Sequence, residues 1–194
     1  MRIWFERAGE RRVRITVERD DGALLEIRSP DASREIPHDL VHYVVEAELG
    51  LPEGFWGKIA RGVVFDSVRV VRAPIRRTAR PRRKRRRLPP RQLLEAEVLV
   101  EIFLKSWDGS AVEEYGSVRA YLDATWSPRT RSRADEIDPA TIDRVSARLD
   151  EISRRWQALP KGRALELDWP PPRSEVARER AGRPGTTPRS KRPA

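Results

Sequence analysis

A chain of 194 residues with 38% apolar and 36% charged residues has room for one domain of ordinary size with polar segments attached. With no cysteine it makes no disulfides, zinc knuckles, iron–sulfur clusters or thiol nucleophiles, and no apolar run approaches signal-peptide or membrane-span length, so the expectation is a cytoplasmic protein without membrane insertion. Its net charge of +10 is unevenly placed: 72–91 carries eleven basic residues and no acid, 170–194 carries seven basic and two acidic, and the remainder, with 22 basic and 28 acidic residues, is mildly negative.

The first thirty residues read as antiparallel strands. RIWFE (2–6) is a short β-prone run, and RRVRITVERD (11–20) alternates Val13, Ile15 and Val17 inward with Arg12, Arg14, Thr16 and Glu18 outward. Asp20-Asp21-Gly22 is a turn signal, after which ALLEIRS (23–29) returns with Ala23, Leu25 and Ile27 on one face. SPDASREIP (29–37) then breaks the sheet. Pro37 suits a first helical residue and Gly50 a stop, which predicts a helix over 37–50. LPEGFWGKIARGVVF (51–65) starts a second, shorter helix, since Pro52 and Glu53 suit a first turn, and DSVRVV (66–71) is either a strand or an extended exit.

Residues 72–91, with four prolines and no core-building periodicity, predict a loop or linker. RQLLEAEVLVEIFLKSW (91–107) predicts a helix whose apolar residues nearly encircle it, so it belongs at the centre of the core. A further helix is expected over 113–126, aligning Val118, Leu122 and Trp126. The clearest element is 139–158. Asp138 can cap it, Pro139 fits its first position, and Ile142, Val145, Leu149, Ile152, Trp156 and Leu159 form an apolar stripe at spacings of three and four. Asp150 with Arg154, and Glu151 with Arg155, support its outer face in the favourable acid-first order. RALELDW (163–169) alternates Leu165, Leu167 and Trp169 with Glu166 and Asp168, a strand expected to join the N-terminal sheet.

Together these elements predict an α+β fold, a small antiparallel sheet packed against a layer of four to five helices. Residues 1–71 supply the N-terminal strands and the histidine-containing helix, 72–91 a basic Pro/Arg-rich loop, and 92–169 the helices and closing strand of the same single domain. The composition of 170–194 predicts a disordered basic tail.

Both histidines of the chain lie in helix 37–50. On a helical wheel at about 100° per residue, His38, His42, Glu46 and Asp39 fall within about 100° of one another, a narrow polar stripe on an otherwise apolar helix. His38-Asp39-Leu40-Val41-His42 compares with the H-E-x-x-H metalloprotease helix, where the two histidines share one zinc and the glutamate activates its water. Asp39 is one methylene shorter than that glutamate. Glu46 lies about 12 Å along the axis from His38, so a third ligand has to come from elsewhere, and it cannot be His or Cys. A metal-free acid/base pair, with Glu46 tuning His42 from one turn away, is also chemically sound. The plainer reading is that a mostly buried helix turns its polar stripe to water. No phosphate loop, dinucleotide fingerprint or nucleophile elbow is present.

Arg80, Arg82, Arg83, Lys84, Arg85, Arg86 and Arg87 would attract phosphates with salt-sensitive, sequence-blind binding, or dock on an acidic protein surface. The segment has no aromatics for base stacking and no apolar face for a membrane. Thirty-five of the forty basic residues are arginine, which suits bidentate phosphate contacts and follows equally from a genome rich in G and C.

IPHDLVHYVVEAELGLPEGFWG (36–57) resembles a segment of a group of uncharacterised bacterial proteins that pair a His-Asp-Leu-x-His-x-x-Val-Glu helix with a Gly-Phe-Trp-Gly turn, and LPKGRALELDWP (159–170) is similar to their C-terminal end. The resemblance implies a bacterial origin and no activity, substrate or catalytic residue. The leading functional expectation is a non-enzymatic interaction or accessory protein, without cofactor, whose basic loop touches nucleic acid weakly. The alternative is a metal-dependent hydrolase, with zinc on His38 and His42 and Asp39 as base.

Overall fold

The computed structural model describes residues 1–9, 12–29, 36–75, 90–117, 120, 121, 124 and 137–169. Five strands, β1 (Arg2–Arg7), β2 (Val13–Glu18), β3 (Leu24–Arg28), β4 (Val68–Arg72) and β5 (Ala164–Asp168), form one antiparallel sheet in the order β4-β3-β2-β1-β5. Five helices are found among the described residues: α1 (His38–Leu49), α2 (Phe55–Ala60), α3 (Pro90–Trp107), α4 (Ser110–Tyr115) and α5 (Pro139–Gln157). The chain has an α+β fold.

The period-two pattern of the strands decides which face of the sheet is covered. Ile3, Phe5, Ile15, Val17, Leu25, Ile27, Leu165 and Leu167 are all buried and meet the helices, while the alternate positions face outward. The Asp20-Asp21-Gly22 turn forms with Gly22 at a φ of 82°, and β2 pairs β3 directly. β5 closes onto β1 in a register that sets Leu167 opposite Ile3 and Leu165 opposite Phe5, so the sequence's last strand lies beside its first. DSVRVV supplies a strand, β4, at the opposite edge.

α1 is the most enclosed helix, with every residue from Leu40 to Glu46 buried. It packs on α2, α3 and α5, and the Tyr43 hydroxyl donates to the Asp168 carbonyl at 2.7 Å, tying the helix to the sheet edge. It begins one residue later than its sequence predicts. Pro37, at φ −57° and ψ 138°, is the extended residue before the helix, and its carbonyl accepts from the Leu40 and Val41 amides. Gly50 ends it in the left-handed conformation. α3 buries Ala96, Leu99, Val100, Ile102, Phe103 and Leu104, which makes it central as its apolar girth demands. α5 starts as read: the Asp138 carboxylate accepts from the Thr141 amide at 2.7 Å and Pro139 occupies the first turn.

The helix expected over 113–126 begins earlier and is interrupted, with Ala120, Tyr121 and Ala124 helical again beyond the break. α4 stops at Tyr115 because Gly116 turns left-handed at φ 77°. Val118, Leu122 and Trp126 lie outside the described residues. So do Arg80 and Arg82 to Arg87, and the tail from 170. Among the described residues no helix is long and apolar enough to cross a membrane.

Candidate functional site

The polar stripe of α1 does not face water at His42 and Glu46. His42 is 3% exposed and Glu46 is fully buried, because α2 and α3 close over that side of the helix. Buried polar groups need partners, and each has them. His42 Nδ1 lies 3.1 Å from Glu46 Oε1, and His42 Nε2 lies 3.2 Å from Glu97 Oε2 on α3. With a carboxylate at each nitrogen, the metal-free ring is held as imidazolium, both N–H groups donating. Burial by itself lowers the His42 pKa, but the hydrogen-bonded carboxylates of Glu46 and Glu97 outweigh it and raise the value to about 9. Conversely, the hydrogen bond from His42 holds the Glu97 carboxyl below its ordinary range.

Glu46 has a second task. Its Oε1 accepts from the Phe55 amide at 2.8 Å and its Oε2 from the Trp56 amide at 2.9 Å, the first two amides of α2. A helix start leaves such donors without intrahelical partners, and here a carboxylate from a neighbouring helix takes them. The Gly-Phe-Trp-Gly turn is built for that approach. A Cβ on Gly54 would sit inside the Glu46 carboxylate, and one on Gly57 would come within 2.5 Å of the Pro52 carbonyl oxygen. Trp56 is fully buried, its indole donating to the Asp39 carbonyl at 3.0 Å, and Phe55 stacks on Phe65.

His38 stands one turn before His42, partly exposed, with ring centroids 4.7 Å apart in an edge-to-face arrangement. One ligand atom from each of His38, His42 and Glu97 lies within 4.8 Å of the others. Donors of a tetrahedral zinc site, each about 2.0–2.2 Å from the ion, sit about 3.4 Å apart. The His42–Glu97 pair already meets that spacing, and His38 has to close by little more than an ångström. Such a set would leave Nδ1–H of His42 donating to Glu46, the outer-shell carboxylate that metal-ligating histidines commonly carry.

Asp39, compared above with the metalloprotease base, is not in this cluster. Its carboxylate accepts from the Ser29 hydroxyl, across the junction between β3 and α1. The candidate third ligand, Glu97, comes from the second of two helices that pack against each other, so no spacing in the sequence announces it. Lys58 is a further buried polar group. Its ammonium has no hydrogen-bond partner among the described residues and sits 3.9 Å from Glu53; burial lowers its pKa and Glu53 opposes the shift.

No protein-family model, curated protein or solved structure matches this chain.

Proposed function

We propose that this is a non-enzymatic accessory protein that holds one divalent transition metal, zinc in the first instance, between His38, His42 and Glu97. The observation that carries the reading is Glu97, a carboxylate from outside α1 that reaches the imidazoles of an i, i+4 histidine pair. Two nitrogens and one oxygen suit zinc among the common divalent ions, and Glu46 fixes the tautomer a ligating His42 needs. Three protein ligands leave a fourth position for water or a partner's donor. The hydrolase alternative also needs a base. Asp39 is engaged by Ser29 and Glu46 by the first amides of α2, which favours holding the ion over hydrolysis with it.

The basic run Arg80, Arg82–Arg87 completes the proposal as a weak, sequence-blind contact for nucleic acid or an acidic protein surface. A cytoplasmic location and a bacterial origin belong to the same reading.

The test is metal uptake by tag-free protein stripped with EDTA. Cobalt(II) titrated into the wild type should develop a visible d–d band that saturates at one ion per chain and is displaced by zinc. E97Q and H38A should each weaken uptake about tenfold or more, while D39N should leave it unchanged. Absence of stoichiometric uptake, or equal uptake by E97Q, overturns the assignment.

A further inference from the structure

The outer face of the sheet is a lattice of cross-strand charge pairs. Arg2 meets Glu166 and Asp168 at 3.1 and 3.6 Å, Arg14 meets Glu6 at 3.1 Å, Arg72 meets Glu18 at 2.9 Å, and Arg69 is paired with Glu26. The pattern fails at one corner. There the β2–β3 register sets Arg14 directly opposite Arg28, and Arg12 precedes Arg14 by two residues. All three are exposed. Like charges directly opposite across an antiparallel pair cost stability, and neither the Arg12 nor the Arg28 guanidinium has a hydrogen bond or ion pair among the described residues.

The three arginines line a groove of about 390 Å³ at the end of the β2–β3 pair, together with Ala8, Val13, Glu26, Ile27 and Ser29. Glu26 is the one acid in the lining among the described residues; it is hydrogen-bonded to Arg69 and also attracts Arg14 and Arg28. Among the described residues Arg12 and Arg28 lack a carboxylate partner at this corner, whereas Arg2, Arg14, Arg69 and Arg72 on the same face each have one.

We propose that this corner binds the phosphodiester backbone of a nucleic acid, with one phosphate received between Arg12 and Arg28. Guanidinium forks match phosphate geometry. A polymer fits better than a free phosphate. Exposed single ion pairs are worth little in water, so an open groove needs a ligand that makes further contacts elsewhere. The chain offers such a contact in its 80–87 run, and two weak sites on one polymer add as avidity. The inference is independent of the metal site.

The experiment is fluorescence anisotropy of a labelled random-sequence DNA duplex with the full chain at rising KCl. The comparison set is R12Q/R28Q, R12K/R28K, and R2Q from the paired part of the lattice. R12Q/R28Q should bind about five- to tenfold more weakly at low salt and flatten the log–log salt slope by up to about two. R12K/R28K should keep the slope, and R2Q should behave as wild type. Because R28Q removes a like-charge contact, the double variant should melt no lower than the wild type, so that lost binding is not lost folding. Wild-type affinity and slope in R12Q/R28Q would overturn the proposal. So would full competition by inorganic phosphate at constant ionic strength, which would make the occupant a free anion.

Discussion

Raising the pH of the metal-free protein should release the His42 clamp. The ring binds its proton at about 9 in the folded chain against 6.5 for the ordinary side chain. Between those values the folded state holds a proton that the unfolded state has lost, so unfolding becomes easier as pH rises. The contribution is complete below about pH 6.5, declines through the interval and is gone above about pH 9. Two and a half pH units correspond to about 3 kcal/mol. His42 is 3% exposed, so screening by solvent removes little of it. For a chain of this length that is a fall in melting temperature of about 6–12 °C. The assay is thermal unfolding followed by circular dichroism, in EDTA at fixed ionic strength, with H42Q as reference. The wild-type curve should drop through the interval while H42Q stays comparatively flat, and E97Q, with one carboxylate neutralised, should show a smaller drop. A difference between wild type and H42Q that is constant or grows from pH 6.5 to 9 would refute the double clamp.

Zinc should reverse that trend, because the ion displaces the Nε2 proton. Calorimetric affinity should rise by up to about tenfold per pH unit until about pH 9, and a pH-independent affinity would remove His42 from the ligand set. G54A should cost about 3 kcal/mol or more in chemical denaturation, since its methyl expels Glu46 from two buried amides; a change under 1 kcal/mol would show that the carboxylate has another resting place. D138A should cost about 1 kcal/mol through loss of the Thr141 cap, with no effect on metal uptake.

Much of the fold was legible because one-dimensional periodicity survives into three dimensions. Val13, Ile15 and Val17 alternate, α5 carries its stripe and its Asp138 cap, and Leu165 and Leu167 announce a strand with one apolar face; each lies where its pattern places it. DSVRVV was ambiguous because only Val68 of β4 is buried, leaving no alternation to read. The polar stripe of α1 was legible as a stripe, but its environment was not. Whether His38, His42 and Glu46 meet water depends on what α2 and α3 do, and Glu97 reaches His42 from 55 residues away. Charge arithmetic misled in a similar way. The mildly negative sum for the chain outside its basic segments averages a sheet face of matched pairs with a corner where Arg12, Arg14 and Arg28 converge, and only the strand register sets Arg14 against Arg28.

The two halves of the stretch from His38 to Gly57 turn out to be one device, joined by a single carboxylate. Glu46 orients His42 with one oxygen and shares both oxygens with the first amides of α2, and it can approach that closely only because position 54 lacks a side chain. Gly57 lets the new helix lie against the backbone at Leu51 and Pro52, which points Phe55 at the His42 ring, 6.5 Å between centroids. A His-x-x-x-His-x-x-x-Glu helix followed by Gly-Phe-Trp-Gly is therefore a physical dependency: the imidazole position is set by the carboxylate, and the carboxylate position by the turn. Changing the turn should perturb the histidines even though no turn residue is a ligand, so cobalt uptake by G54A serves as a readout of the coupling that stability alone would miss.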